Sequence, residues 1–207
     1  MTHARKQKYL KIEALEQVRQ SSASNTQSEK ERLLREGIKS YREYLALPEN
    51  HDDDDAWAGM GGAYRRLNEI DRAIESYQAA YEINSGSTYA LVNLVSLLAA
   101  RNLPGDLRKR NNYNAAALEL FQKKIREGTA DYWTWYDVAT LQLIDGKVEK
   151  SFESFNYAAE LTPKSKLENF RSVLSNLEFL NAHQPGMPGL TAAIDLVSGY
   201  IPPETGK

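Results

Sequence analysis

The sequence predicts an all-α fold of antiparallel helix pairs, and three observations carry that prediction. The stretch from Asp54 to Ser87 places Trp57, Gly61, Gly62 and Tyr64 before a polar turn and Ala73, Tyr77 and Ala80 after it. The pattern then returns. About 34 residues on from Trp57, Gly61 and Tyr64 stand Leu91, Val95 and Leu98, all apolar, in a helix-like run. From Tyr132 to Pro163 the same template carries Trp135, Val138, Ala139, Gly146, Phe155, Ala158 and Pro163, with Gln142 in place of an aromatic and Ser151 in place of Ala.

The third copy is late by about ten residues against one period. Ala117 and Phe121 align with Ala73 and Tyr77, so the surplus falls at 102–112. That insertion reads as a loop, because it contains Pro104, Gly105 and the cations Arg108, Lys109 and Arg110, with only Leu103 and Leu107 as apolar anchors. It is expected at an edge, where the three cations offer an acidic partner a contact. Three copies in one register over 54–163 resemble the tetratricopeptide repeat (TPR) family. The resemblance implies a right-handed superhelical solenoid of antiparallel helix pairs with a C-terminal capping helix, and a role as a protein-binding scaffold.

In order along the chain, Ala4 to Gln20 sets Tyr9, Ile12, Leu15 and Val18 about three apart, one stripe of an outer helix. Its first half is basic at Arg5, Lys6, Lys8 and Lys11. Ser21 to Ser28 is small and polar, a mobile connection whose last serine is placed to cap a second helix, Glu29 to Leu47, with Leu34, Ile38, Tyr41 and Leu45 on one face. Gly37, Tyr41 and Tyr44 read as half of a divergent repeat, so 1–53 is expected to be an N-terminal helix pair. Pro48 ends it. The acids at 52–55, beside His51, invite a metal reading, but acids before a helix are favoured by its N-terminal partial charge and by capping.

The run Ala58 to Gly62 lacks the strand and the Lys-Ser/Thr ending of a phosphate-binding loop, so its glycines are read as places where a partner helix approaches closely. Asn68 with Asp71 reads as the cap of the following helix. After Pro163, Leu167, Phe170, Leu174, Leu177 and Leu180 define a helix that covers the last repeat. The run QPGMPG breaks it, and Leu190 to Tyr200 forms a short helix with Ile194, Val197 and Ile201 to dock, so 164–207 reads as cap, short helix and tail.

Hydrophobic residues make up 42% of the 207, and twelve Tyr with three Trp supply large side chains for a layered core. A net charge of −2 gives no general attraction to phosphate, so no nucleic-acid partner is expected. The first residues are charged where a leader would be apolar, and no apolar run is long enough for a membrane span, so the chain is expected in the cytoplasm. Without Cys, disulfides and thiolate chemistry are excluded. No nucleophile, metal or cofactor motif is present, and the three histidines lie in segments read as terminal or loop. An enzyme is therefore a distant third reading, with no cofactor expected.

The resemblance puts a binding groove on the first helix of each repeat. Counting from the helix starts, that face carries Ala58, Gly62, Arg65 and Arg66, then Tyr89, Val92, Asn93 and Ser96, then Trp133, Tyr136, Asp137 and Thr140. Asn93 with Tyr136 is expected to touch a bound peptide, and Arg65 or Arg66 to meet an acidic group on it. The carboxylate clamp with which some relatives hold chaperone tails is not matched: at its five places stand Ala58, Gly62, Asn93, Trp133 and Asp137, and only Asn93 agrees. Two functions remain, an adaptor that holds a peptide or partner helix in the groove, and a structural or regulatory subunit of a larger assembly that uses outer faces and loops.

Overall fold

The computed structural model describes residues 3–201, with side chains from Tyr9 onward except that of Leu167. The expectations for the side chains of Arg5, Lys6, Lys8 and Leu167 and for the tail after Ile201 therefore lie outside what is described. Within them the chain is all-α, with no strand. The helices are α1 His3–Ala23, α2 Gln27–Leu45, α3 Asp54–Arg66, α4 Ile70–Ile83, α5 Thr88–Arg101, α6 Asp106–Arg126, α7 Tyr132–Ile144, α8 Val148–Leu161, α9 Phe170–His183 and α10 Leu190–Gly199. Adjacent helices pack as antiparallel pairs, α1 with α2, α3 with α4, α7 with α8 and α9 with α10. The chain divides into two compact units, Met1–Leu94 and Val95–Lys207.

In the first unit α1 packs differently from its expected stripe. Tyr9, Ile12 and Leu15 are each more than half exposed, while Ala14 and Ser21 are buried. Steps of three residues fall short of the 3.6-residue turn, so such a stripe drifts around the helix. The packed face is instead set by small residues. A Cβ on Gly37 of α2 would stand 2.8 Å from Val18 Cγ2 and 3.2 Å from the Ala14 carbonyl, so glycine there permits the close approach. Ser21 donates to the Val18 carbonyl at 2.7 Å and belongs to the helix, and Thr26, not Ser28, caps α2 by accepting from Glu29 N–H.

The turn into α3 is held by Asp53. It accepts from Ala56 N–H at 3.0 Å as N-cap, from Lys11 Nζ at 2.8 and 2.7 Å, and from the Tyr44 hydroxyl at 2.8 Å. Burial works to raise its carboxyl pKa, but Lys11, Tyr44 and Ala56 N–H together hold it below the ordinary value. The aspartate run thus serves helix capping, and among the described residues no group of side chains is arranged to hold a metal ion. In α3 the glycines admit rings: a Cβ on Gly59 would sit 2.7 Å from Tyr41 Cζ, and one on Gly61 would sit 2.9 Å from Tyr77 Cδ2. Asn68 is not the cap of α4. It takes a left-handed φ of 59° in the turn, and Glu69 holds the N-cap position.

In the second unit the insertion proves helical. Only 102–105 lies between α5 and α6, and Asp106 starts a helix of 21 residues that continues through Arg108 to Arg110. Pro104 and Gly105 end one helix and open the next, and the surplus residues lengthen α6 because nothing after Asp106 interrupts a helix. Ala117 and Phe121 are buried as aligned. In α8 Phe155, Ala158 and Ser151 are fully buried, and Gln142 of α7 accepts from Ser154 at 2.9 Å. After Pro163, residues 164–169 form a 3₁₀ turn and α9 begins at Phe170. Phe170, Leu177 and Leu180 are buried, and Phe170 meets Tyr136 of α7 edge to face at 5.2 Å. The short α10 docks through Leu190, Ala193 and Val197; of the three residues expected to dock, only Val197 is buried.

Candidate functional site

In the first unit the candidate residues gather around Arg65. Small residues on α3 leave room for the ring of Tyr77 from α4, which is fully buried and donates from its hydroxyl to that of Tyr89 at 3.4 Å. Tyr89, at the start of α5, is 58% exposed. One turn on, Asn93 donates from Nδ2 to the Tyr89 carbonyl at 2.9 Å and accepts from Arg65 at 3.4 Å. Burial depresses the Arg65 pKa from its usual value, opposed by Tyr77 and Tyr89 and assisted by Arg66. A guanidinium nonetheless stays charged at neutral pH. Burial also lifts the Tyr77 phenol well above its ordinary range, so it remains a neutral donor.

Two expected contacts change role here. Asn93 is 8% exposed and spends its amide on Arg65 and on the backbone of α5, so it positions Arg65 and is not itself open to a peptide. Arg66 donates to the Val18 carbonyl at 2.9 Å and to Ser22 at 3.1 Å, which ties α3 to α1. Ala58 and Val92 are buried, and Gly62 is half-buried. From Ala90 to Ala100 every residue of α5 is buried, Ser96 included, because a helix apolar nearly all round is covered on all sides.

The second unit carries its own cluster on α7. Asp131 caps the helix by accepting from Thr134 N–H and Oγ1, both at 2.9 Å. Trp133 is half-buried against Tyr132 and Tyr136, with ring centroids at 5.3 and 6.0 Å. Tyr136, expected to touch a ligand, is only 2% exposed. Its hydroxyl pairs with Thr162 at 3.2 Å and its ring packs on Phe170, so it is a core residue. Thr140 is buried and donates to the Tyr136 carbonyl at 3.0 Å. Asp137 is half-buried. Burial pushes its carboxyl up to about 7, Lys124 works against that, and Asp131 adds to it.

With this geometry in view, the chain can be set beside solved structures. It is similar to MamA, a TPR-containing protein, in the RS-1 ArsTM double mutant, at a TM-score of 0.51 and 16% identity over 94% of each chain. The fold is TPR-like. No family model matches the chain, and no curated protein matches it.

Within the TPR-like fold, sequence reasoning missed one feature of the first unit. A cleft of about 390 Å³ is lined by Arg42, Leu45, Trp57, Met60, Tyr64 and Arg72, among others. The Trp57 indole donates to the His51 carbonyl at 2.9 Å, and Arg72 lies over the Tyr64 ring at 5.8 Å. Trp57 and Tyr64 were visible as template aromatics. Nothing in the spacing said that α2 and α4 would bring an arginine each to the same place. Arg108 and Lys109 are exposed and Arg110 half-buried, all on α6.

Proposed function

We propose that the chain is a non-catalytic, cytoplasmic adaptor that holds a peptide or partner helix on the inner face of its first unit, through Tyr89 and Arg65. The observation that carries this is the pairing of an open aromatic with a desolvated cation: Tyr89 is 58% exposed, and Arg65 beside it is taken largely out of water and aimed by Asn93. An acidic side chain or terminus meeting Arg65 there gains from low local screening, and Tyr89 adds apolar area with a polar tip, a side chain that often anchors interfaces. Trp133 and Asp137 form a second contact belonging to the other unit, suited to a cationic group. The TPR-like fold supports the reading, since paired-helix scaffolds present such faces.

Peptides selected from a displayed random library on the immobilised protein test this. They should carry an acidic residue, and their binding should weaken by at least about 1 kcal/mol with either Arg65→Ala or Tyr89→Ala while the thermal melt stays near that of the parent. Selection of peptides indifferent to both substitutions would overturn it. A second reading, a structural or regulatory subunit of an assembly, is favoured by the cleft around Trp57 and Tyr64, whose volume suits a partner side chain. Peptides lost with Trp57→Ala but not with Arg65→Ala would select that reading.

A further inference from the structure

The residues that the repeat template does not need, at 102–112, include the two most exposed large apolar side chains described in the second unit. Leu103 is 53% and Leu107 59% exposed, with Pro104 exposed between them. They are not loosely hung. Asp106, only 4% exposed, accepts from Arg101 Nε at 3.0 Å, from Arg101 at its second nitrogen at 2.7 Å, and from Leu103 N–H at 2.9 Å. Gly105 takes a left-handed φ of 92°, which turns the chain sharply into α6. The arrangement fixes two leucines pointing into water at a helix start, a position that costs apolar exposure and contributes no packing.

Directly beside them come Arg108, Lys109 and Arg110. From Arg101 to Leu118 the sequence has four cations against the single acid Asp106, and that acid is turned inward to Arg101. The buried side of α6 runs through Asp106, Asn114, Ala117 and Phe121, so Leu107, Arg108 and Lys109 lie off it, in the exposed sector. Leu107, Arg108 and Lys109 therefore stand around the exposed part of the first turn of α6, whereas Arg110, four residues after Asp106, is half-buried on the side of the buried stripe, and the chain as a whole is acidic by two charges. The attraction this creates is local, within about 8 Å at physiological salt.

We propose that this edge, Leu103, Leu107, Arg108 and Lys109, is a contact for an anionic membrane surface. The leucines would enter the boundary between headgroups and acyl chains, and the cations would lie among the anionic headgroups. Two features favour a bilayer. The leucines protrude and so need an acceptor that yields around them, which a lipid interface does. The one acid beside the cations, Asp106, is buried and paired with Arg101, so Arg108 and Lys109 leave a local positive excess, which matches the negative charge of such a surface. A nucleic acid would call for rings interleaved with the cations for stacking, and between Leu103 and Asn112 there is no aromatic. No described helix is long and apolar enough to cross a membrane, so the contact is peripheral.

The test uses the full chain and vesicle flotation, with vesicles of phosphatidylcholine alone and of phosphatidylcholine mixed with phosphatidylserine. The parent should float with the mixed vesicles, much less with the neutral ones, and be released by salt. Replacing Arg108 and Lys109 together by Gln should lower partitioning by roughly 30-fold. Leu103→Ser with Leu107→Ser should lower it by about tenfold. Both variants alter exposed side chains, so an unchanged thermal melt verifies their folding, and Arg65→Ala should float like the parent. Absence of flotation with anionic vesicles, equal flotation with neutral ones, or flotation unaffected by both variants would overturn the proposal. Binding to soluble polyglutamate lost with the cations, in a protein that does not float, would assign the edge to an acidic protein instead.

Discussion

The helices α3 and α7 hold the same place in the repeat and fill it in different ways. In α3 glycines admit rings from outside, Tyr41 of α2 over Gly59 and Tyr77 of α4 over Gly61, beside its own buried Met60 and Tyr64. In α7 a large ring of its own goes to the core, since Tyr136 meets Phe170 and Phe155, while Trp135 meets Tyr157 edge to face at 4.8 Å. One template therefore specifies how much space lies between paired helices, and leaves open which helix supplies the side chain. That exchange also explains a functional error of sequence reasoning: a tyrosine on the inner helix reads as a contact residue only if its neighbours have already filled the core.

The comparison is broken most severely by removing the ring that α7 contributes. Tyr136→Ala should cost about 3–5 kcal/mol, because a fully enclosed ring and its bond to Thr162 are lost together. Urea unfolding measures this, and a loss under 1 kcal/mol would return Tyr136 to the surface. In α3 the corresponding damage is addition. Gly61→Val should cost roughly 1–3 kcal/mol by driving atoms into the Tyr77 ring. Gly62→Ala, whose Cβ would stand 3.4 Å from the Tyr77 hydroxyl, should instead gain up to about 1 kcal/mol of helix propensity. Equal signs for the two substitutions would contradict the distinction.

Charge sharpens the comparison at smaller scale. Asp53, ahead of α3, has a folded pKa below its ordinary value, so the stability it contributes is present above the carboxylate range and lost as pH falls through the depressed pKa. Asp53→Asn keeps a capping side chain but not the ion pair with Lys11, and should cost about 1 kcal/mol at neutral pH and flatten the acid limb of stability against pH. Asp137, on α7, has the opposite sign. With a folded pKa of about 7, the folded state binds more protons than the unfolded one between the ordinary carboxylate range and neutrality, and stability falls as pH rises through that window. Asp137→Asn should remove that fall, which makes the variant the more stable protein at mildly alkaline pH and no different in acid. Parallel pH profiles for variant and parent would refute the assignment, in which Lys124 of α6 and Asp131 are the other charged groups involved.

Much of the fold was legible in the sequence, and the misses share a cause. The template residues Ala73, Tyr77 and Ala80, then Ala117 and Phe121, then Phe155 and Ala158, are all buried where the register put them. A helix end set by local chemistry, the acidic run with Asp53 as cap, follows from the chain itself. The candidate site was less legible: Asn93 turned inward to hold Arg65, Tyr136 went to the core, and the cleft around Trp57 went unseen because its lining comes from separate helices.

The sequence by itself determined the helical period, the positions that must be apolar or small, and the identities of the groups able to bind. Periodicity and capping act within a few residues, so they can be read without knowing the neighbours. Tertiary structure alone decided which side of α1 is covered, that Tyr136 and Asn93 are enclosed, and that the stretch after Gly105 runs on as helix with Leu103 and Leu107 in water. Each of those outcomes depends on whether another element arrives to exclude water from a given face, and burial is a property of two surfaces together, which no single stretch of sequence contains.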